Sequence, residues 1–305
     1  MAGKKHPILT VLAILVVASL VLGGTMVAAL KILAPSSPLF FKDKIGIVTI
    51  DGTISESRSI TSQLVKFRKD HGIKAVILRI NSPGGSIGPT QEIYREVQKI
   101  LPHKQVIASM GAVGASGGYY IAAAAHKIVA NPGTITGSIG VLMEFVRVEE
   151  LLKKIGVDLE IMKSGEFKDI GSPDRKLTER DREILNRLIK DLQKQFVEAV
   201  AMGRNLSVEK VEKIADGRVF SGARAKGLGL VDALGNFEDT VELVKEMADI
   251  RGEATLVYGE GKKSVLWDLV FKSGIRFLLS QVNDAAGMIQ YRWSGFTQQD
   301  VKEGY

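Results

Sequence analysis

Two glycine-rich turns bring together residue types that could do chemistry. Asn81-Ser82-Pro83-Gly84-Gly85-Ser86 follows an apolar run over residues 73–80, and Gly114-Ala115-Ser116-Gly117-Gly118 follows another over residues 105–110. In open α/β folds, ligand sites collect at the carboxyl ends of strands. Glycines there let a substrate approach the backbone, and consecutive free amides can hold a negative oxygen. A serine between glycines, at the start of the apolar helix expected over residues 117–125, is placed to attack, and the helix N-terminus favours the charge that develops. Either turn alone reads equally well as a tight βα connection.

The second turn also fits G-x-S-x-G, the nucleophile elbow of α/β-hydrolases, in which an acid and then a histidine follow the serine. Here the one histidine after Ser116 is His126, and no acid stands between them. His71 lies in the turn Asp70-His71-Gly72 and His103 follows Pro102 at a helix-to-strand junction, so both read as solvated. A Ser-His-Asp triad does not fit. The histidines, His6 included, lack metal-ligand spacing, and the absence of cysteine removes thiolate nucleophiles, disulfides and Cys-ligated metals, so no metal or cofactor is expected. A serine without these partners is usually activated by a lysine kept neutral by desolvation. The S-x-x-K match at Ser207-Val208-Glu209-Lys210 has no K-T-G companion, and Ser207 reads as a helix N-cap.

The elements that must position Ser116 follow from periodicity. Residues 44–50, 73–80 and 105–110 are β-branched and apolar, and helical stretches over 60–69 and 89–100 separate them. That alternation predicts βαβ units and a mainly parallel sheet. Over residues 179–200, Ile184, Leu185, Leu188, Ile189, Leu192, Phe196 and Val197 share one helical face, predicted to pack in the core, with Thr178 as N-cap. The net charge of +7 is spread among acids, as in residues 178–194, which reads as a solvated helix face and not a nucleic-acid surface.

Residues 8–30 carry no formal charge and follow Lys4 and Lys5, a length that spans about 30 Å of hydrocarbon as a helix. A cleaved signal peptide has an apolar region of roughly 7–15 residues, so a retained anchor is expected. Lysines flank both ends, so charge alone does not orient it. The expected organisation is a cytoplasmic stub and transmembrane anchor over 1–34, a linker over 35–43, a catalytic domain over 44–250 and an amphipathic or flexible extension over 251–305. Within the extension, residues 264–296 mix apolar residues with Lys272 and Arg276, which argues against a second span.

Five segments in order carry a family resemblance: Asn81-Ser82-Pro83-Gly84-Gly85, Gly114-Ala115-Ser116-Gly117-Gly118-Tyr119-Tyr120-Ile121, Thr136-Gly137-Ser138-Ile139-Gly140-Val141, Lys163-Ser164-Gly165-Glu166-Phe167-Lys168-Asp169 and Ala215-Asp216-Gly217-Arg218-Val219. Together, over roughly residues 44–248, they resemble signal peptide peptidase A of the short, single-domain type. The resemblance implies a ClpP/crotonase-like α/β fold and a Ser-Lys dyad. Ser116 matches the nucleophile, Lys168 the general base and Ser138 the residue that orients the lysine, while the amides of Gly85 and Gly117 match the oxyanion hole. It further implies apolar peptide substrates such as cleaved signal peptides, a catalytic domain outside the cytoplasm, and a homo-oligomeric ring, expected to be an octamer. Alternatives from the same residues are a ClpP-like membrane peptidase acting on stomatin-type proteins and a non-catalytic peptide-binding scaffold. A crotonase-type acyl-CoA enzyme would need catalytic carboxylates that the sequence does not offer.

Overall fold

The computed structural model describes residues 7–33, 43–259 and 289–292. The chain divides into two compact units, Met1–Lys42 and Asp43–Tyr305. The first contributes one helix, α1 (Pro7–Leu33). Among the described residues no helix is long and apolar enough to cross a membrane; in α1 the described side chains cover only residues 11, 12 and 14–29. Those side chains are exposed throughout, Leu20 and Leu22 each at 70%.

The second unit alternates strands and helices as the periodicity requires. Its elements begin with β1 (Lys44–Asp51), α2 (Arg58–Lys69), β2 (Ile73–Ser82), β3 (Gly84–Ser86), α3 (Ile87–Ile100), β4 (Gln105–Ala115) and α4 (Gly117–Ala123). They continue with β5 (Lys127–Ala130), β6 (Ile135–Gly137), β7 (Leu142–Met143), α5 (Glu149–Lys154), α6 (Glu179–Arg204) and α7 (Val208–Glu212). Then come β8 (Val219–Ser221), α8 (Gly222–Leu228), β9 (Ala233–Leu234), α9 (Phe237–Met247), β10 (Thr255–Tyr258) and β11 (Ile289–Arg292). The main sheet runs β10-β1-β2-β4-β5-β9, all parallel, with β6 beside the end of β4 and β8 antiparallel to β6. Both of its faces are covered, which is why its strands are apolar runs and not alternating ones. Ile45, Ile47, Ala75, Ile77 and Ile107 face Val241 and Val244 of α9. Val48, Ile50, Val76, Leu78 and Ile80 face the larger cluster built with α2, α3, α4 and α6.

The expected strands and helices over 44–110 form, and so does the cap of α6, where Thr178 and Asp181 make a reciprocal capping box. Ser207 likewise caps α7 by accepting from the Lys210 amide. The α6 face departs from expectation. Only its C-terminal half enters the core, with Phe196, Val197 and Val200 buried, whereas Leu188 is 38% exposed. Phe196 stacks against Tyr120 of α4, and a Cβ on Gly203 would run into the Ala123 carbonyl, so α6 meets α4 at one end only.

Among the described residues beyond 250 there are two strands: β10, which extends the main sheet beside β1, and β11. β11 forms a separate small sheet between β3 and β7, antiparallel to both. The rest of residues 264–296 lies outside the described residues.

Candidate active site

Ser116 stands at the junction of β4 and α4, with φ 53° and ψ −117°. Non-glycine residues rarely take positive φ, and holding one there costs about 1–3 kcal/mol unless its surroundings fix it. Here the Ser116 amide donates to the Gly137 carbonyl at 2.8 Å, and its own carbonyl accepts from the Tyr120 amide at 2.8 Å. The hydroxyl is buried and has no hydrogen-bond partner among the described residues, although a buried polar atom is normally paired.

The first glycine turn is folded against this elbow. Ser82 donates its hydroxyl to the Gly52 carbonyl and accepts from the Gly84 amide, which fixes the entry to β3. Gly84 has φ 101°, and a Cβ on Gly85 would run into the Ile54 carbonyl, so both positions require glycine. A Cβ on Gly117 would lie 3.2 Å from the Gly85 nitrogen and 2.9 Å from Thr90 Oγ1. The two expected oxyanion amides therefore belong to one crowded patch beside Ser116. On β3 the Gly84 carbonyl and Ser86 amide are bonded to Ile54, so the Gly85 N–H and C=O point to the opposite edge.

Ser138 is brought close by the backbone, since Gly137 is the residue that receives the Ser116 amide. It too has positive φ, 50°, and is buried. The Ala215-Asp216-Gly217-Arg218 segment clasps this turn, the Ser138 amide donating to the Arg218 carbonyl at 2.9 Å and the Gly217 amide to the Ile139 carbonyl at 3.1 Å. Arg218 is paired with Asp216 and holds that carboxyl down at about 2.

Lys168 is placed differently. It sits exposed in the turn after Gly165, and among the described residues its amine makes no hydrogen bond or ion pair, with Ser116 and Ser138 included. Its neighbours are tied down. Asp169 accepts from Lys163 at 2.8 Å and from Arg175 Nε and Nη2 at 2.9 Å each, and Arg175 Nη1 donates to Asp181 Oδ2 at 2.6 Å. Arg180 pairs with Glu166 and lies over the Phe167 ring. The single chain thus brings Ser116, Ser138, Gly85 and Gly117 together and leaves the amine of Lys168 in solvent.

The histidines are not rivals for the base. His71 and His103 are exposed, and His126 Nδ1 accepts from the Val106 amide at 3.0 Å, with burial pushing its pKa down. Among the described residues no group of acids and histidines could hold a metal ion. Sequence reasoning missed Thr90 and gave Ser82 and Thr136 no role of their own; all three fix the turns through hydroxyl-to-carbonyl bonds that carry no periodic signal.

The Ser116 elbow and the Ser138 clasp lie within residues 99–251, which the profile of peptidase family S49 matches. The chain belongs to peptidase family S49. A Clp protease profile matches residues 39–134, in keeping with the ClpP-like α/β sheet. A Synechocystis protein provisionally named a protease is 44% identical over 210 residues, covering 68% of this chain and 76% of the relative. A Methanocaldococcus jannaschii protein, also provisionally named a protease, is 32% identical over 286 residues, 89% of this chain and 92% of the relative. An Enterococcus faecium protein provisionally named signal peptide peptidase SppA is 36% identical over 205 residues, 66% of this chain and 59% of the relative. This S49 chain is a serine peptidase of the signal peptide peptidase A type.

Proposed function

We propose that the chain is a membrane-anchored serine endopeptidase that degrades remnant signal peptides and other apolar peptides through a Ser116–Lys168 dyad. The observation that supports it most is the strained, buried and unpartnered hydroxyl of Ser116 beside the Gly85 and Gly117 amides. Neutral Lys168 takes the Ser116 Oγ proton as the oxygen bonds to the scissile carbonyl carbon, and the two amides receive the oxyanion. The proton passes to the leaving amine as the peptide bond breaks, and water then releases the acyl group from Ser116. Ser138 orients the lysine.

To act on Ser116, the exposed Lys168 must be carried out of solvent to the buried hydroxyl. The segment carrying it also exposes Leu151, Ile155, Val157, Leu159, Ile161 and Met162, the last at 94%. Burying these against further copies of the chain in a ring, expected to hold eight, supplies the missing desolvation and couples assembly to activity. The exposed apolar surface of α1 supports anchoring, with the catalytic unit outside the cytoplasm, where signal-peptide remnants remain in the bilayer.

The test is hydrolysis of an apolar peptide by the detergent-solubilised chain, followed through a dilution series with light scattering. Activity should vanish in both Ser116→Ala and Lys168→Ala, without additivity in the double variant. It should also fall as assemblies dissociate. Near-wild-type turnover in Lys168→Ala would remove the dyad, and a fully active single chain would remove the ring.

A further inference from the structure

We propose that Thr90 is a positioning residue for the reaction: its buried hydroxyl sets the spacing of the two amides, Gly85 and Gly117, that receive the oxyanion. This rests on the peptidase reading of Ser116. On α3 the buried residues Ile87, Thr90, Ile93, Tyr94, Val97 and Ile100 form one face. Thr90 is fully buried among them, at a position where an aliphatic side chain would pack without the cost of desolvating a hydroxyl. That cost is offset because Oγ1 donates to the Ser86 carbonyl at 2.8 Å. The acceptor is the last residue of β3, the strand that carries Gly85.

The two amides come from different elements, since Gly85 belongs to β3 and Gly117 opens α4. Ile54 grips β3 through the Gly84 carbonyl and the Ser86 amide, and those bonds do not reach α4. Thr90 lies at the crossing. A Cβ on Gly117 would stand 2.9 Å from Thr90 Oγ1 and 3.2 Å from both the Gly84 Cα and the Gly85 nitrogen. One oxygen thus holds the end of β3 and abuts the start of α4. An oxyanion is stabilised only when both donors lie about 2.7–3.1 Å from the single position it takes up. A small shift of β3 against α4 therefore weakens the transition state while the rest of the peptide still binds. A threonine with a merely structural duty would bond the same carbonyl, but its loss would lower thermal stability and leave the division between kcat and KM unmoved.

The experiment uses the full chain in detergent with Thr90→Val, which keeps the branched shape and removes the hydroxyl, and Thr90→Ser, which keeps the hydroxyl. Hydrolysis of an apolar model peptide gives kcat and KM. Inhibition by the corresponding peptide aldehyde reports on the oxyanion itself: the Ser116 oxygen bonds to the aldehyde carbon, its proton passes to the general base, and the aldehyde oxygen becomes the negative oxygen. Deleting a donor outright costs about 10²–10³ in kcat and displacing one costs less, so Thr90→Val should lower kcat about tenfold, weaken the aldehyde by a similar factor and leave KM unchanged. Thr90→Ser should stay within about twofold of the parent on all three. If thermal unfolding shows that Thr90→Val does not fold, Thr90→Ala takes its place, since the smaller side chain cannot overpack the site. Unchanged kcat and aldehyde affinity without the hydroxyl would overturn the proposal, and so would equal losses in Thr90→Ser. The two readings fail separately. A parent chain that neither hydrolyses the peptide nor takes up the aldehyde ends the peptidase reading and this role with it, whereas an active parent that Thr90→Val leaves unaltered ends the role of Thr90 alone.

Discussion

Ser116 and Ser138 are two of the few non-glycine residues with positive φ among the described residues, and the other two, Asn205 and Asp249, sit at or just past helix C-termini. Strain that no helix end explains is thus confined to the two serines the sequence singles out. What surrounds Lys168 is electrostatic. Hydrogen bonds from Arg175, then from Lys163, hold the Asp169 carboxyl well below the usual carboxylate range. Asp181, bonded first to Arg175 and then to the Thr178 amide, is held down at about 2. Depressed folded-state pKa values give stability that is complete above the unfolded value of about 4 and is lost as pH falls toward 2. The thermal midpoint should therefore drop over that window, while Arg175→Ala should unfold at a lower temperature near neutrality and show a flatter profile. A variant as steep as the parent would show that Arg175 does not carry the coupling. Since Arg175 also anchors the residue after Lys168, the same variant should lose turnover.

At the scale of elements, α6 divides into halves with different duties. Its N-terminal turn is fixed by the capping box and by Arg175; Ile184, Leu185, Ile189 and Leu192 are half-buried, and full apolar burial begins at Phe196. Phe196→Ala should cost about 3–5 kcal/mol, as expected for an aromatic lost from a core. Leu188→Ala, at a position 38% exposed, should cost well under that, about 1 kcal/mol or less. Denaturant midpoints on the two variants check the order, and equal losses would mean that the whole helix face is packed. The strands over 44–110 were legible because burial on both faces demands unbroken apolar runs, and Thr178 because a cap is a local hydrogen bond. The incomplete burial of the first half of α6 was not, because period 3.6 reports amphipathicity without reporting how closely a neighbour covers the face. β11 was hidden for a different reason: Ile289-Gln290-Tyr291-Arg292 is joined to its partners by backbone bonds, which leave no side-chain pattern.

For the molecule as a whole, the arrangement separates what one chain completes from what it leaves open. One chain assembles the elbow, the amides and the Ser138 clasp around a single hydroxyl, and pairs β11 with β3 and β7. Lys168 remains exposed, on a segment rich in exposed apolar residues. The most direct measurement is covalent labelling by a fluorophosphonate probe, with the modified residue located by mass spectrometry. The account predicts labelling at Ser116, abolished in Ser116→Ala and strongly slowed in Lys168→Ala. Labelling at another serine, or a rate at Ser116 that Lys168→Ala leaves unchanged, would contradict it.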